Sequence, residues 1–285
     1  MSNTTTKVLA GCAVGCLLVV LTLGGLGWMG YRWAKTAAEV VEAAERAEDR
    51  LEAEYGLVRE FTPPMDGRLA LDRVETFLAV RELMAPQRTS LEESVEALAP
   101  AAGKGGAIGG LRAARAGISM APRILEFAKV RNEALLEVGM GSGEYAWMYW
   151  LTYHGWLGHP VDESLLNDIM EARSESDGSM QMHIDGMDTE HMERRLRRDL
   201  EAMLRNLEGE IAADSERAEL KELVAGELAA MGDDPSRMPW EDGLPEVFVV
   251  GLDPYRDRLE ASYSPATNIF ELLELDSGPH GVTLE

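Results

Sequence analysis

Cysteine is almost missing from this chain of 285 residues, which contains only two. Both of them, Cys12 and Cys16, lie near the amino terminus. The rest of the chain therefore has no disulfide framework. This distribution leaves the redox environment of the protein open.

Basic residues are scarce relative to acidic ones. The chain has 27 lysines and arginines against 50 aspartates and glutamates, which gives a net charge of −23. A surface of this sign repels the phosphate backbone of nucleic acid and the headgroups of anionic lipids. Nucleic acid is therefore excluded as a partner, whereas a protein partner or cations are favoured.

Charge of either sign is absent from the 24 residues Val8–Tyr31. As an α-helix they would reach roughly 36 Å, which is enough to cross the hydrocarbon core of a bilayer. We predict that residues 8–31 bind the membrane as a single span, and that residues 1–34 form the transmembrane anchor. No other uncharged run in the sequence approaches this length.

Two processing alternatives compete with a permanent anchor. Leu9–Cys12 has the residue pattern of a bacterial lipoprotein cleavage site, but that site must follow an apolar stretch, and here Lys7 is only two residues away. A cleaved signal peptide would end in small residues, whereas this run ends in the interfacial aromatics Trp28, Tyr31 and Trp33. We therefore expect an uncleaved signal anchor.

The orientation of the span is ambiguous from charge. Four basic residues follow the span closely: Arg32, Lys35, Arg46 and Arg50. A strict count of basic residues on the two sides of the span predicts that the large domain lies inside the cell. A short polar head with one lysine, however, is typical of an anchor whose amino terminus stays inside, which places the large domain outside the cytoplasm. We expect a single-pass protein of the bacterial inner-membrane type with the bulk of the chain outside the cytoplasm.

The residue composition favours helices, because leucine, alanine, glutamate and methionine dominate over valine, isoleucine and threonine. We predict an all-α fold, in which the transmembrane helix continues into a helical stalk and an irregular multi-helix bundle with little or no β-structure. The stalk helix should run from Ala34 to about Glu60. Its small apolar stripe would pack within the chain or form an oligomer.

Proline and glycine suggest where the chain is divided. We predict a stalk helix and helical hairpin in residues 35–102, a glycine-rich joint in residues 103–120, a helical core domain in residues 121–232 and a proline-punctuated wrap and tail in residues 233–285. Within the hairpin, the capping box Ser90-x-x-Glu93 after Pro86 predicts the start of a third helix. In the carboxyl-terminal part, only Val247–Val250 resembles a strand.

One local sequence is similar to a cofactor loop. An acidic residue followed by G-x-G-x-G occurs at Glu137, Gly139, Gly141 and Gly143. This pattern resembles the first motif of the S-adenosylmethionine-dependent methyltransferases. The resemblance implies that the glycine backbone would bend around the cofactor and that Asp162 would bind its ribose. It covers about forty residues.

The surroundings of this motif favour another interpretation. The methyltransferase motif needs a strand before the glycines and a parallel sheet around them, whereas Arg123–Glu137 has a helical pattern. The alternative hypothesis is that the small residues let another helix approach closely, with no cofactor bound.

The segment Tyr145–Trp156 holds six of the eighteen aromatic residues of the chain. They cover every face of a helix, which is typical of the centre of a core. If the protein has a pocket, we expect it here, lined by Tyr149, Trp150, Tyr153 and His154.

The sequence predicts neither a catalytic group nor a metal site. No serine, cysteine or histidine has partners spaced for nucleophilic catalysis, and the histidines and acids of residues 183–191 match no familiar ligand spacing. Two hypotheses follow. The first is a membrane-anchored acidic binding or scaffold module with a protein partner and no cofactor, and the second is a methyltransferase-like enzyme.

Overall fold

The computed structural model describes residues 42–102, 107–160, 189–212 and 214–272. The regular structure in these ranges is helical throughout, without a strand. The predicted all-α class is therefore confirmed. From Ala44 onward the described residues belong to one compact unit.

Ten α-helices are numbered here in chain order. They are α1 (residues 42–55), α2 (Leu71–Leu83), α3 (Ala85–Ala102), α4 (Ala107–Val138), α5 (Ser142–Tyr149), α6 (Thr189–Ile211), α7 (Ala218–Asp233), α8 (Glu246–Leu252), α9 (Arg256–Ser262) and α10 (Asn268–Glu271). Single 3₁₀ turns occur at Val58–Glu60, Ser215–Arg217 and Asp253–Tyr255. A π-helical segment, Trp150–Trp156, continues α5.

The predicted membrane span Val8–Tyr31 lies outside the described residues. Within the ranges that are described, no helix combines the length and the apolar character needed to cross a bilayer.

Helix α1 ends earlier than its apolar stripe suggests. The sequence predicted a helix to about Glu60, but the structure ends it at residue 55, and this part of the prediction is wrong. The reason is Gly56, which has a φ of +79° and so leaves the right-handed helical region. The stripe residues Ala44, Ala47 and Leu51 are all buried within the chain.

Helix α3 begins at Ala85 and not at the Ser90 capping box. The predicted start is wrong because Pro86 lies in the first turn of the helix. Backbone N–H groups in the first turn make no intrahelical hydrogen bond, so a proline, which has no N–H group, is tolerated there. The helix therefore contains the proline instead of starting after it.

Helices α3 and α4 form an antiparallel pair. Arg123 of α4 donates a hydrogen bond from Nη1 to the carbonyl oxygen of Ser90 in α3, at 3.0 Å. Residues 107–120, which the sequence assigned to a glycine-rich joint, are helical, and residues 103–106 lie outside the described part. The domain boundaries themselves stay predictions.

The carboxyl-terminal segment packs back onto the earlier helices. Trp150 donates its indole N–H to the carbonyl oxygen of Pro239 at 2.9 Å, and Arg131 of α4 reaches the backbone of α10. The strand-like stretch Val247–Val250 lies in helix α8. Tertiary packing outweighs the β-propensity of its valines. As a helix, this stretch buries Phe248 and Leu252, which lie four residues apart on one face.

Candidate functional site

The aromatic segment is a helix that widens into a π-turn. Leu157 donates its backbone N–H to the carbonyl oxygen of Thr152, five residues earlier, at 3.0 Å. π-turns of this kind are rare in proteins, and those that occur are often found at functional sites.

The four residues predicted to line a pocket lie side by side. The ring centroids of Tyr149 and Tyr153 are 4.6 Å apart, and the rings of Trp150 and His154 stack at 4.5 Å with an interplanar angle of 25°. All four side chains are buried. The structure thus places them at the centre of the core, and the pocket itself stays a prediction.

A buried ion pair lies beside these tyrosines. The guanidinium of Arg81 on α2 and the carboxylate of Glu271 on α10 pair directly, and both side chains are fully buried. The hydroxyl of Tyr145 donates to Glu271 Oε2 at 2.7 Å, while Arg81 Nη1 also donates to the Tyr145 oxygen at 3.1 Å. The second guanidinium nitrogen, Nη2, donates to the carbonyl oxygen of Ser262.

The electrostatics of this cluster favour the charged pair. Burial is the largest single influence and would lower the pKa of Arg81, but the combined attraction of the Glu271 carboxylate and the neighbouring tyrosines outweighs it and raises that pKa well above its usual value. Burial, reinforced by the negative charge of Glu271, raises the pKa of Tyr145. Tyr145 therefore remains a neutral donor at physiological pH, and Arg81 remains a cation.

Aromatic faces surround the Arg81 cation. Its guanidinium carbon lies 5.2 Å from the ring centroid of Tyr149 and 5.4 Å from that of Tyr153. Such contacts are attractive when the cation is desolvated. The hydroxyl of Tyr153 shares a hydrogen bond of 2.7 Å with the hydroxyl of Ser262, which ties the π-helical segment to the end of α9.

His154 is held in a neutral form. Its Nδ1 donates to the carbonyl oxygen of His159 at 2.8 Å, and its Nε2 lies 3.2 Å from the side-chain oxygen of Asn268. Burial lowers the pKa of His154 to about 4, and its hydrogen bonds offset this only in part. The hydroxyl of Tyr149 donates to the same Asn268 oxygen at 3.0 Å. Asn268 therefore accepts a hydrogen bond from Tyr149 and lies beside the neutral ring of His154.

Two further buried arginines hold helix ends. Arg88 Nη2 donates to the carbonyl oxygen of Arg81 at 2.6 Å, in the last turns of α2. Arg131 Nη1 donates to the carbonyl oxygen of Glu271 at 2.9 Å, at the end of α10. A cation at a helix carboxyl terminus satisfies free carbonyl groups and interacts favourably with the helix dipole.

The glycines of the methyltransferase-like motif form a turn between two helices. Helix α4 precedes them where that motif needs a strand, and Gly139, with a φ of +71°, ends this helix in the left-handed conformation. The side chain of Glu137 is exposed to solvent. Asp162 lies outside the described residues.

Gly141 lies against the last residue of α1, and Gly143 lies against the segment that follows α1. A Cβ atom on Gly141 would lie 2.7 Å from Tyr55 Cβ, and one on Gly143 would lie 2.5 Å from Phe61 Cβ and 2.7 Å from the backbone oxygen of Val58. Glycine is therefore needed here for close packing of the chain against itself.

No protein-family model matches this chain, and none of the curated proteins or solved structures matches it either. Function is therefore inferred from the residues and their geometry.

Sequence reasoning missed the ion pair. Arg81 and Glu271 are 190 residues apart, so no local motif joins them. One signal was available, because Arg81 occupies a position in the apolar stripe of α2 that also contains Val74, Phe77 and Met84. A charged residue on a buried helix face requires a partner of opposite charge.

Removal of one charge from the buried pair should destabilise the protein strongly. We expect Glu271→Gln to lower the free energy of unfolding by about 3 to 5 kcal/mol, since it leaves Arg81 buried without a counter-charge. The matched control is Glu75→Gln, which removes an exposed partner of Arg258 and should cost less than about 1 kcal/mol. Denaturant unfolding of the full-length protein measures both, and equal costs would contradict the assignment.

The state of His154 predicts a pH dependence. An unfolded histidine titrates near 6.5 and the buried one near 4, so the unfolded chain binds more protons in this window and stability falls as the pH decreases through it. Between pH 7 and pH 5 the wild type should lose about 2 kcal/mol more stability than His154→Gln. Parallel pH profiles of the two proteins would show that His154 is not buried in its neutral form.

The different surroundings of Gly143 and Gly226 predict that alanine at the two positions has opposite effects on stability. Gly143→Ala should destabilise the fold by about 1 to 3 kcal/mol, because the added methyl group meets the backbone at Val58. Gly226→Ala, inside α7 with open space around it, should stabilise by about 0.5 to 1 kcal/mol. Thermal unfolding compares them, and a neutral Gly143→Ala would argue against tight packing at this turn.

Proposed function

We propose that this protein is a single-pass, membrane-anchored helical module that binds a protein partner through its acidic surface. One observation carries the proposal. Four ionisable groups at the centre of the core, Arg81, Glu271, Tyr145 and His154, are buried and bonded to one another or to other groups of the fold. The interior thus serves to hold the helices in place, and the surface is the part available for function.

The surface supports binding by charge. The chain carries a net charge of −23, and exposed acidic residues occur along helices from α1 to α9. Such a surface attracts a basic partner and increases its rate of association. The same charge is repelled by anionic lipid, so the domain would stand away from the bilayer and face partners in the aqueous phase.

The anchor is the part of the proposal that rests on sequence alone. The uncharged run Val8–Tyr31 has the length of a bilayer span, and the interfacial aromatics follow it. The stalk helix would link this span to the described domain. The domain would lie outside the cytoplasm.

Deletion of the anchor should release the protein from the membrane. We expect the full-length protein to sediment with membranes and to resist alkaline extraction, whereas a chain lacking residues 1–34 should be soluble. Immunoblots of the fractions measure this, and a fusion at the carboxyl terminus to a reporter active only outside the cytoplasm tests the orientation. Persistent membrane association of the truncated chain would overturn the proposed anchor.

The enzyme hypothesis has its own measurement. Calorimetric titration of the full-length protein with S-adenosylmethionine should show no binding. Micromolar binding that is lost in Gly141→Val would contradict the binding-module proposal.

A further inference from the structure

Three buried arginines, called here the arginine cluster, meet around a single carboxylate. Arg81, Arg88 and Arg131 have exposed fractions of 0%, 7% and 5%, and Glu271 is buried with them. Arg81 binds the carboxylate of Glu271, Arg131 binds the carbonyl oxygen of the same residue, and Arg88 binds the carbonyl oxygen of Arg81. Three cations and one carboxylate are therefore joined by hydrogen bonds inside the core.

Arg88 and Arg131 differ from Arg81 in their counter-charge. In the part of the chain that the structure describes, no carboxylate forms an ion pair with either of them, and this includes the other buried acid, Glu48. At Arg88, Nη2 donates to the carbonyl oxygen of Arg81 at 2.6 Å, whereas Nη1 is buried without a hydrogen-bond partner among the described residues. Arg88 therefore offers an unused donor inside the core.

The groups around Arg88 do not supply the missing negative charge. Burial and repulsion by Arg81 lower the pKa of Arg88, and the attraction of Glu271 offsets this only in part. Burial keeps Tyr145 in its neutral form by raising its pKa. A buried lysine or histidine could lose its proton, but an arginine stays charged in proteins. A buried cation without a counter-charge is costly, and an anion beside it removes that cost.

We propose that the arginine cluster binds a small oxyanion at Nη1 of Arg88. A guanidinium group presents its N–H donors in a plane that matches the oxygens of a phosphate or a carboxylate. The anion accepts the hydrogen bond from Nη1 and balances charge that Glu271 leaves uncompensated. This ligand site goes beyond the proposed function, and it needs neither the anchor nor the protein partner.

Inorganic phosphate is the probe that tests the site. The full-length protein in nanodiscs of zwitterionic lipid is titrated with sodium phosphate at neutral pH, and sodium gluconate keeps the ionic strength constant. Calorimetry should show saturable binding of one phosphate per chain. Because this ligand binds the folded chain, the melting temperature should rise by about 5 °C or more at a hundredfold excess over the dissociation constant.

Substitutions of two arginines separate this site from the general effect of the salt. Phosphate stabilises many proteins because it is excluded from their surfaces, so the informative quantity is the difference between variants. Arg88→Met removes the charge and should lose the saturable binding and the associated rise in melting temperature. The matched control, Arg123→Met, removes an exposed arginine of α4 that bonds to Ser90, and it should keep both.

A conservative variant covers the case in which methionine prevents folding. Arg88→Lys keeps a cation but loses the planar arrangement of donors, and it should weaken phosphate binding about tenfold. Circular dichroism checks that each variant keeps its helices.

The same oxyanion chemistry has a second source in the carboxylates of Glu274 and Asp276, which follow α10 in the sequence. The full-length double variant with Glu274→Gln and Asp276→Asn distinguishes the two sources. We expect it to bind phosphate as the wild type does. Binding that appears only in the double variant would assign the anion to the chain itself and overturn the inference.

Two further results would overturn it: no saturable binding of phosphate to the wild type, or an equal response in Arg88→Met. The proposed function can fail independently, since membrane fractionation tests the anchor without any phosphate.

Discussion

The fold depends on the buried ion pair between Arg81 and Glu271. Taking two charges out of water is costly, and hydrogen bonds to the remaining polar groups offset part of that cost. Tyr145, the carbonyl oxygen of Ser262 and two tyrosine faces supply such interactions, whereas Arg81 Nε is buried without a hydrogen-bond partner. Because the two charges come from α2 and α10, their pairing joins two helices that lie 190 residues apart in the chain.

The ion pair belongs to a wider polar network inside a core that is otherwise apolar. The π-helical segment supplies Tyr153 and His154, and the carboxyl-terminal segment supplies Ser262 and Asn268 as their partners. A buried polar network of this kind favours arrangements of the helices in which these charges and hydrogen-bonding groups are paired.

Local sequence patterns predicted the helical class and the burial of the aromatic segment, because periodicity and composition report which faces avoid water. They could not predict the pairing of Arg81 with Glu271, since it depends on tertiary contact over 190 residues. They also failed at Val247–Val250, where helix packing overrules β-propensity, and at Gly56, where one left-handed residue ends α1. The role of Gly143 became clear only when its neighbour Phe61 was in place.

Hydrogen exchange of the full-length wild type and Glu271→Gln, followed by mass spectrometry, tests the central claim most directly. If the ion pair joins α2 and α10, the variant should lose protection together in α2, in the π-helical segment and in the segment from α9 to α10, because these elements share one network. Loss of protection confined to α10, with α2 and the π-helical segment unchanged, would contradict the account.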